Sequence, residues 1–264
     1  MLVLDGKKLS QEIASELKEA ISSFGRTPKL LIIQIGENEA SDVYIQKKIE
    51  FGQEIGVIVT IKYFSRDSNE KEILDFITEK NNDTEVNGII VQLPIPKHLN
   101  KEKITRSVSF KKDVDGLAGP NFVPATAKGV VTLLDRNNIK IKRKKIVIIN
   151  DSELVGKPIA KEFKKSKSKI TICNKDTEDL KEISKRADIL ITGIGQPEII
   201  DESYLREGQI VIDVGISKTS KGVVGDVKKK LDIELFARTQ VPGGVGPMTV
   251  ASLFQNLVEV YREQ

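Results

Sequence analysis

The chain has 264 residues, with 42 Lys and Arg against 38 Asp and Glu, for a formal net charge of +4. At ~150 residues per domain this suits one large or two small domains, and so small a charge excess gives no reason to expect a nucleic-acid or membrane partner. One Cys and one His exclude an internal disulfide, a multi-Cys metal site and a His-rich zinc site.

The remaining composition, 39% hydrophobic and 30% charged, is that of a folded chain rather than a disordered one. No apolar run approaches the ~20 residues of a membrane span. The first residues, Met1-Leu-Val-Leu-Asp-Gly, lack a basic segment followed by an apolar one, so the cytosol is the expected compartment.

In chain order, a first helix is expected over 9–24, with Leu9, Ile13, Leu17 and Ile21 on one stripe. A β-branched strand follows at 30–35, then a helix over 41–55 that stops at Gly56, a C′ residue. Further strands are expected at 60–64, 88–93, 145–149, 169–173, 188–192 and 210–214. Strands alternating with helical segments imply βαβ units and a parallel sheet, hence an α/β fold. Turn chemistry at 115–121 marks a boundary, a helix over 127–136 follows, and 145–241 reads as one dinucleotide-type unit. The last helix, 249–262, is expected to pack back across that boundary. The basic run 140–145 is either a phosphate patch or a solvated lead-in to the next strand, and the second reading is favoured. Salt-sensitive RNA binding through it has little support, because no aromatic interleaves the run.

Several motifs bear on chemistry. Tyr44 and Lys48, four apart, share a helical face. A Lys desolvated beside an aromatic ring can shuttle a proton near neutral pH, while the plainer reading is a surface Lys lying along a Tyr. Gln92 stands near the carboxyl end of an apolar strand, where open α/β sheets bind ligands, and its amide either meets a heterocycle or caps a turn. Lys112-Asp-Val-Asp-Gly116 offers either a carboxylate anchor for a ligand's N–H groups or an Asx-type turn. A metal site is not expected there. After the strand at 145–149, Asn150-Asp-Ser152 leads into a helix starting near Val155, with Pro158 in its first turn. Exposed N–H groups in that turn would favour a phosphate, although Gly156 alone survives of a dinucleotide glycine fingerprint. Gly193-Ile-Gly-Gln-Pro197, Asp213-Val-Gly-Ile216 and Pro242-Gly-Gly-Val-Gly-Pro247 add glycines at strand ends and in a shaped loop, which points to a nucleotide crevice. Cys173 reads as core and His98 as a turn residue.

These motifs resemble, in their order, the methylenetetrahydrofolate dehydrogenase/cyclohydrolase family. The matching stretches are Asp5-Gly-Lys7, Ala40-Ser41 with Tyr44 and Lys48, Val91-Gln-Leu-Pro94, Lys112-Asp-Val-Asp-Gly116, Val155-Gly-Lys-Pro158, Gly195-Gln-Pro197, Val211 to Ile216 and Val241 to Thr249. The resemblance implies a Rossmann-type, doubly wound NAD(P) domain over 123–248. It implies an α/β folate-side domain over 1–122, joined by the returning helix 249–264, and a homodimer. It implies oxidation of 5,10-methylenetetrahydrofolate to the methenyl form and hydrolysis of that form to 10-formyltetrahydrofolate. Tyr44 would stack on the folate, Lys48 would be the acid/base, Gln92 would position Lys48 and the folate, and Asp115 would accept the pterin N–H groups. Pro242, Gly243 and Gly244 would border the ligands. Asn150, Asp151, Ser152, Asp176, Thr177, Gly195, Ile216 and Gly246 would lie along the cofactor.

The chain departs from that family at the cofactor. Asn150-Asp151-Ser152 stands where Gly-Arg-Ser is usual, and Asn174-Lys-Asp-Thr177 where His-Ser-x-Thr is common. The family default is NADP. Asp151 would repel a 2′-phosphate and Asp176 could accept a ribose 2′-hydroxyl, which leans towards NAD, whereas Lys175 could restore a phosphate contact. Loss of the glycine at Asn150 narrows the approach to a diphosphate. The link from Gly116 to Pro124 is short, and Pro124-Ala-Thr-Ala127 replaces Pro-Cys-Thr-Pro. Two other readings remain: a cyclohydrolase with a weakened cofactor site, and a non-catalytic folate- or nucleotide-binding protein on the same scaffold.

Overall fold

The computed structural model describes residues 1–119, 121–220 and 222–264, and of Ala40 the backbone only; Pro120, inside the expected turn, lies outside the described residues. The chain begins with β1 (Leu2–Leu4), α1 (Gly6–Ser22), β2 (Lys29–Ile35), α2 (Glu39–Ile55), β3 (Ile58–Phe64), α3 (Glu70–Asn82), β4 (Gly88–Val91) and α4 (Lys101–Arg106). It continues with α5 (Ala125–Arg136), β5 (Lys145–Ile149), α6 (Gly156–Lys164), β6 (Lys169–Cys173), α7 (Leu180–Lys185), β7 (Ile189–Thr192) and β8 (Ile210–Asp213). It ends with the hairpin β9 (Ser217–Thr219) and β10 (Gly222–Val224), then β11 (Ala237–Thr239) and α8 (Val245–Glu263). No described helix is long and apolar enough to cross a membrane.

Two units emerge. One comprises residues 11–125 and 250–264, the other residues 1–10 and 126–249. The first ten residues therefore differ from the expected grouping with 11–122, because β1 pairs in parallel with β11 (Leu2 with Ala237, Leu4 with Thr239).

The unit of residues 11–125 and 250–264 holds a parallel three-stranded sheet in the order β3-β2-β4. Along β2, Leu31, Ile33 and Ile35 join Ile73 and Ile77 of α3, Ile89 and Val91 of β4 and Ile104 of α4 in one apolar core. Alternate residues point to the opposite face, as a strand requires. There α8 packs by stacking Phe254 on Phe51 of α2, with ring centroids 5.2 Å apart. A Cβ on Gly88 would lie 2.6 Å from the Leu257 side chain, so a glycine lets α8 reach the sheet. The helix expected at 41–55 starts two residues earlier. Asn38 caps it by accepting from Ser41 N (3.0 Å), and it ends at Gly56, whose φ of 83° is left-handed.

The unit of residues 1–10 and 126–249 holds a six-stranded sheet in the order β1-β11-β8-β7-β5-β6, each neighbouring pair parallel. Strands β5, β7 and β8 are almost wholly buried, as expected for a sheet covered on both faces. Val147, Ile149, Leu190, Val211 and Leu235 share one core, and Cys173 belongs to it. The chain leaves β5 for β6 on one side and returns to β7 on the other, so the order reverses between β5 and β7. In the smaller sheet it reverses between β2 and β4 in the same way. Crevices at such reversals, outside the carboxyl ends of the strands, are where open parallel sheets take ligands.

Candidate active site

The reversal in the smaller sheet is occupied by the expected folate-side residues. Strand β4 ends at Val91, two residues short of expectation, so Gln92 stands just past its carboxyl end. Gln92 N still donates to Ile33 O (2.8 Å), which anchors the exit to β2. The following helix, α2, carries Lys48 back over this end. Lys48 is 7% exposed, and its Nζ donates to Gln92 Oε1 at 2.8 Å. Burial pulls its pKa below the ordinary lysine value, while the charge of Asp115 opposes that pull. Burial in turn pushes Asp115 above the ordinary carboxylate range, against the opposing effect of Lys48. This arrangement makes a neutral amine accessible, held by one acceptor and flanked by one carboxyl group.

Two further bonds fix the geometry. Ser41 Oγ donates to Leu93 O (3.1 Å), and Gln92 Nε2 donates to the same carbonyl (2.8 Å). The amide of Gln92 is thus oriented with its oxygen towards Lys48. Tyr44 is half-buried, which pushes its hydroxyl pKa up. The cation over its ring is Lys47, 5.6 Å from the centroid, and not Lys48. The expected Lys–Tyr pairing is corrected accordingly: neighbouring helix positions differ by about 100° in direction, and Lys48 is the one turned inward.

Of the two readings of Lys112-Asp-Val-Asp-Gly116, the structure shows the turn, at Asp113. Asp113 closes a turn by accepting from Gly116 N (3.1 Å) and Ala118 N (2.5 Å), and burial pushes its pKa up to about 6. Asp115 spends no oxygen on that turn and faces Lys48 electrostatically. Asn256 of α8 supports the segment by donating to Val114 O (2.9 Å).

In the other unit, the turn after β5 is also organised. Asn150 Oδ1 accepts from Ser152 N (3.0 Å), Ser152 Oγ (2.6 Å) and Gly156 N (3.0 Å), and its Nδ2 donates to Gly193 O (2.6 Å). Asp151 Oδ2 accepts from Asn174 Nδ2 (3.0 Å), and Thr177 Oγ1 accepts from Asn174 N (2.9 Å), so Asp151 and Thr177 meet through Asn174. Asp176 is exposed beside Lys175 at 3.4 Å. The expectation of free N–H groups at this turn is corrected in part, because Asn150 and Ser152 already occupy those of Ser152, Val155, Gly156 and Lys157. The sheet reversal fits a dinucleotide; the turn, as built, has four of its backbone donors turned inward.

Two buried carboxylates hold the neighbouring loops: Asp226, which sequence reasoning missed, and Asp213, read there only as part of a glycine-bearing strand end. Asp226 accepts from Thr192 Oγ1 and from the N–H groups of Ile194, Gly195 and Gln196 (2.5–3.1 Å). Asp213 accepts from Gly215, Asp226 and Val227 N–H groups (2.9–3.1 Å). The signal available was an Asp between a Gly and an apolar residue at 225–227, too common to single out. Gly243 (φ 107°) turns the Pro-Gly-Gly loop; its carbonyl accepts from Lys7 N (2.7 Å), and a Cβ on Gly6 would lie 1.9 Å from Gly244 O. Pro242 is exposed beside them, and Ile216 lies against Gly246, 3.8 Å from where its Cβ would be. The basic run at 140–145 is exposed apart from Ile141, as a solvated lead-in would be, and His98 is an exposed turn residue.

Comparison with known proteins places this geometry. Residues 4–115 match the tetrahydrofolate dehydrogenase/cyclohydrolase catalytic domain, and residues 124–264 match the NAD(P)-binding domain of the same family. The chain is 39% identical to the bifunctional protein FolD of Sulfurihydrogenibium sp. (strain YO3AOP1), over 100% of this chain and 99% of that one. The crystal structure of the bifunctional enzyme FolD from Campylobacter jejuni superimposes with a TM-score of 0.96 at 35% identity, covering 100% of this chain and 99% of the other. The bifunctional dehydrogenase/cyclohydrolase from Thermoplasma acidophilum gives 0.91 at 30% identity, covering 99% and 98%. The chain belongs to the tetrahydrofolate dehydrogenase/cyclohydrolase family, enzymes that oxidise 5,10-methylenetetrahydrofolate with a nicotinamide dinucleotide and hydrolyse the methenyl product to 10-formyltetrahydrofolate.

Proposed function

We propose that Lys48 is the general acid/base of the hydrolytic half-reaction, with Gln92 and Asp115 as its partners. The observation that carries this reading is the 2.8 Å bond from a buried Lys48 to Gln92. With its pKa lowered by burial, the amine takes a proton from water as the water oxygen bonds to the methenyl carbon. It returns that proton to N5 as the carbon–N5 bond breaks, and the remaining hydroxyl proton passes to solvent as the C=O forms, leaving the formyl group on N10. Asp115 accepts N–H groups of the pterin in charge-assisted bonds, Tyr44 stacks on the folate, and the loop of Pro242, Gly243 and Gly244 borders the ligands.

The nicotinamide dinucleotide, when bound, accepts the hydride of the oxidative half-reaction. Asn150, Asp151, Ser152, Asp176, Thr177, Gly195, Ile216 and Gly246 are the residues we assign to its site. Asp151 and Asp176 place two carboxylates near the carboxyl ends of β5 and β6. Such charges disfavour a 2′-phosphate and suit a ribose 2′-hydroxyl, so the preferred cofactor is NAD rather than NADP. Lys175 does not overturn this, since Asp176 lies 3.4 Å from its ammonium. The chain works as a homodimer in the cytosol; β3 is a sheet edge that carries exposed Ile58 and Tyr63, a surface suited to a second copy.

The test is turnover of methylenetetrahydrofolate with NAD and NADP in parallel, read before and after acid conversion to the methenyl form. Faster turnover with NAD is expected, and Asp151→Arg should shift the ratio towards NADP. An unchanged ratio removes Asp151 from the 2′ position. Sedimentation of the wild type and of Tyr63→Lys checks the dimer.

A further inference from the structure

We infer that Asn150 is an internal plug of the diphosphate-binding turn and that its carboxamide limits the affinity of this chain for its dinucleotide. The inference rests on the reading of this unit as the cofactor unit.

A diphosphate at the reversal of a parallel sheet is normally held by free backbone N–H groups where the next helix begins. At the start of α6 four of those groups are accounted for. Ser152 N and Gly156 N both donate to Asn150 Oδ1 at 3.0 Å. Val155 N donates to Ser152 Oγ (3.1 Å) and Lys157 N to Ser152 O (3.1 Å). Pro158 has no N–H to give. The Ser152 hydroxyl, a further phosphate donor, is turned onto Asn150 Oδ1 at 2.6 Å. The ammonium of Lys157 is engaged by Glu153. The carboxamide oxygen therefore stands, electrostatically, where a phosphate oxygen would.

The other end of the same amide closes the crevice laterally. Asn150 follows β5 and Gly193 follows β7, the two strands between which the sheet order reverses. Asn150 Nδ2 donates to Gly193 O at 2.6 Å and so links the two carboxyl ends across that reversal. A dinucleotide must displace this amide, or bind without these donors.

Removing the carboxamide should therefore strengthen binding. We would titrate the full chain calorimetrically with NAD and with NADP, comparing wild type, Asn150→Gly, Asn150→Ala and Asn150→Asp. Two freed N–H groups and one freed hydroxyl, offset by the loss of a cap, give an expected Kd about three- to tenfold lower in Asn150→Gly and Asn150→Ala. Asn150→Asp retains the acceptor and adds a negative charge, so its Kd should exceed that of wild type. That arm keeps the test decisive if thermal unfolding shows that the smaller residues disrupt the turn. Binding to folded Gly and Ala variants that is equal to or weaker than wild type overturns the inference, as does Asp binding as tightly as Asn. A wild type that binds NAD or NADP while the variants fail to gain leaves the cofactor reading standing. No binding by any form overturns both.

Discussion

Lys48 Nζ lies 2.8 Å from Gln92 Oε1, and the amide nitrogen of the same Gln92 is tied to Leu93 O at 2.8 Å. An amide anchored at its nitrogen presents its oxygen in one direction only. It accepts one N–H of the amine and leaves the lone pair of neutral Lys48 free to receive a proton. The bond joins residues 44 apart in sequence, one on α2 and one just past β4.

Lys48→Met tests the base directly. Methionine follows the course of the lysine stem and carries no ammonium to desolvate. We expect methenyltetrahydrofolate hydrolysis to fall by about 10²–10⁴-fold, the range for loss of a general acid/base, while thermal unfolding stays cooperative with an unchanged or higher midpoint. Near-normal hydrolysis would remove Lys48 from the proposed role.

Ser41 shares its acceptor, Leu93 O, with Gln92, so a positioning role through that amide is the prediction to test. Ser41 is 3% exposed, and its hydroxyl holds the start of α2 to Leu93 O. A buried hydrogen bond of this kind contributes about 1 kcal/mol. Ser41→Ala should lower kcat for hydrolysis about three- to tenfold with a smaller change in KM, and Ser41→Thr should restore most of it. A change confined to KM would mean that Ser41 meets the substrate instead.

Asp213 should leave a mark on stability against pH. Burial pushes its pKa up to about 6 from an ordinary 3.8, with the Asp226 carboxylate contributing and backbone N–H groups opposing; Arg238 also interacts with its charge. Between those values the folded state holds more protons than the unfolded state. Its extra stability is therefore complete below pH ~4 and lost as pH rises through ~6, at most about 3 kcal/mol. Asp113, also at about 6, titrates in the same window. Denaturant titrations at intervals from pH 4 to 7 should show stability falling, and Asp213→Asn should reduce that slope by about half. An identical slope in the variant would show that Asp213 ionises as an ordinary carboxylate.

Gly156 is fixed by contact rather than by its φ. A Cβ there would fall 1.6 Å from Asn150 O, a backbone atom that cannot swing aside. Gly156→Ala should cost about 2–4 kcal/mol, measurable as a lower denaturation midpoint. A cost below 1 kcal/mol, by the same reasoning, would mean that α6 can slide away from the turn.

The larger elements were legible because their residues repeat with a period. Five-residue runs such as 145–149 and 169–173 became strands with the bounds expected, and the stripe of Leu9, Ile13, Leu17 and Ile21 is buried. The three-residue strands β1 and β11 were not legible, because so short a segment carries no period and their pairing depends on distant chain. Spacing brought Tyr44 and Lys48 to one region but could not say which of two adjacent lysines turns inward. It also gave no hint of Asp226, whose partners at 192–196 are set only by the closing of the sheet. The turn at Asn150 was legible as a departure in composition. That its amide would take up the donors of that turn depended on a rotamer, which sequence does not encode locally.

The pairing of Leu2 with Ala237 has a consequence for biosynthesis. A ribosome releases β1 long before the strand beside it, which lies about 230 residues further along the chain. The unit of residues 11–125 likewise waits for 250–264, with Phe254 and Leu257 among its packing residues. Neither unit is a continuous stretch that could mature while the rest is still being translated, and long-range closure of this kind is slow. Cutting the gene near codon 125 should therefore yield two fragments that each lack part of their own interior. Co-expressed, they should depend on one another to become soluble.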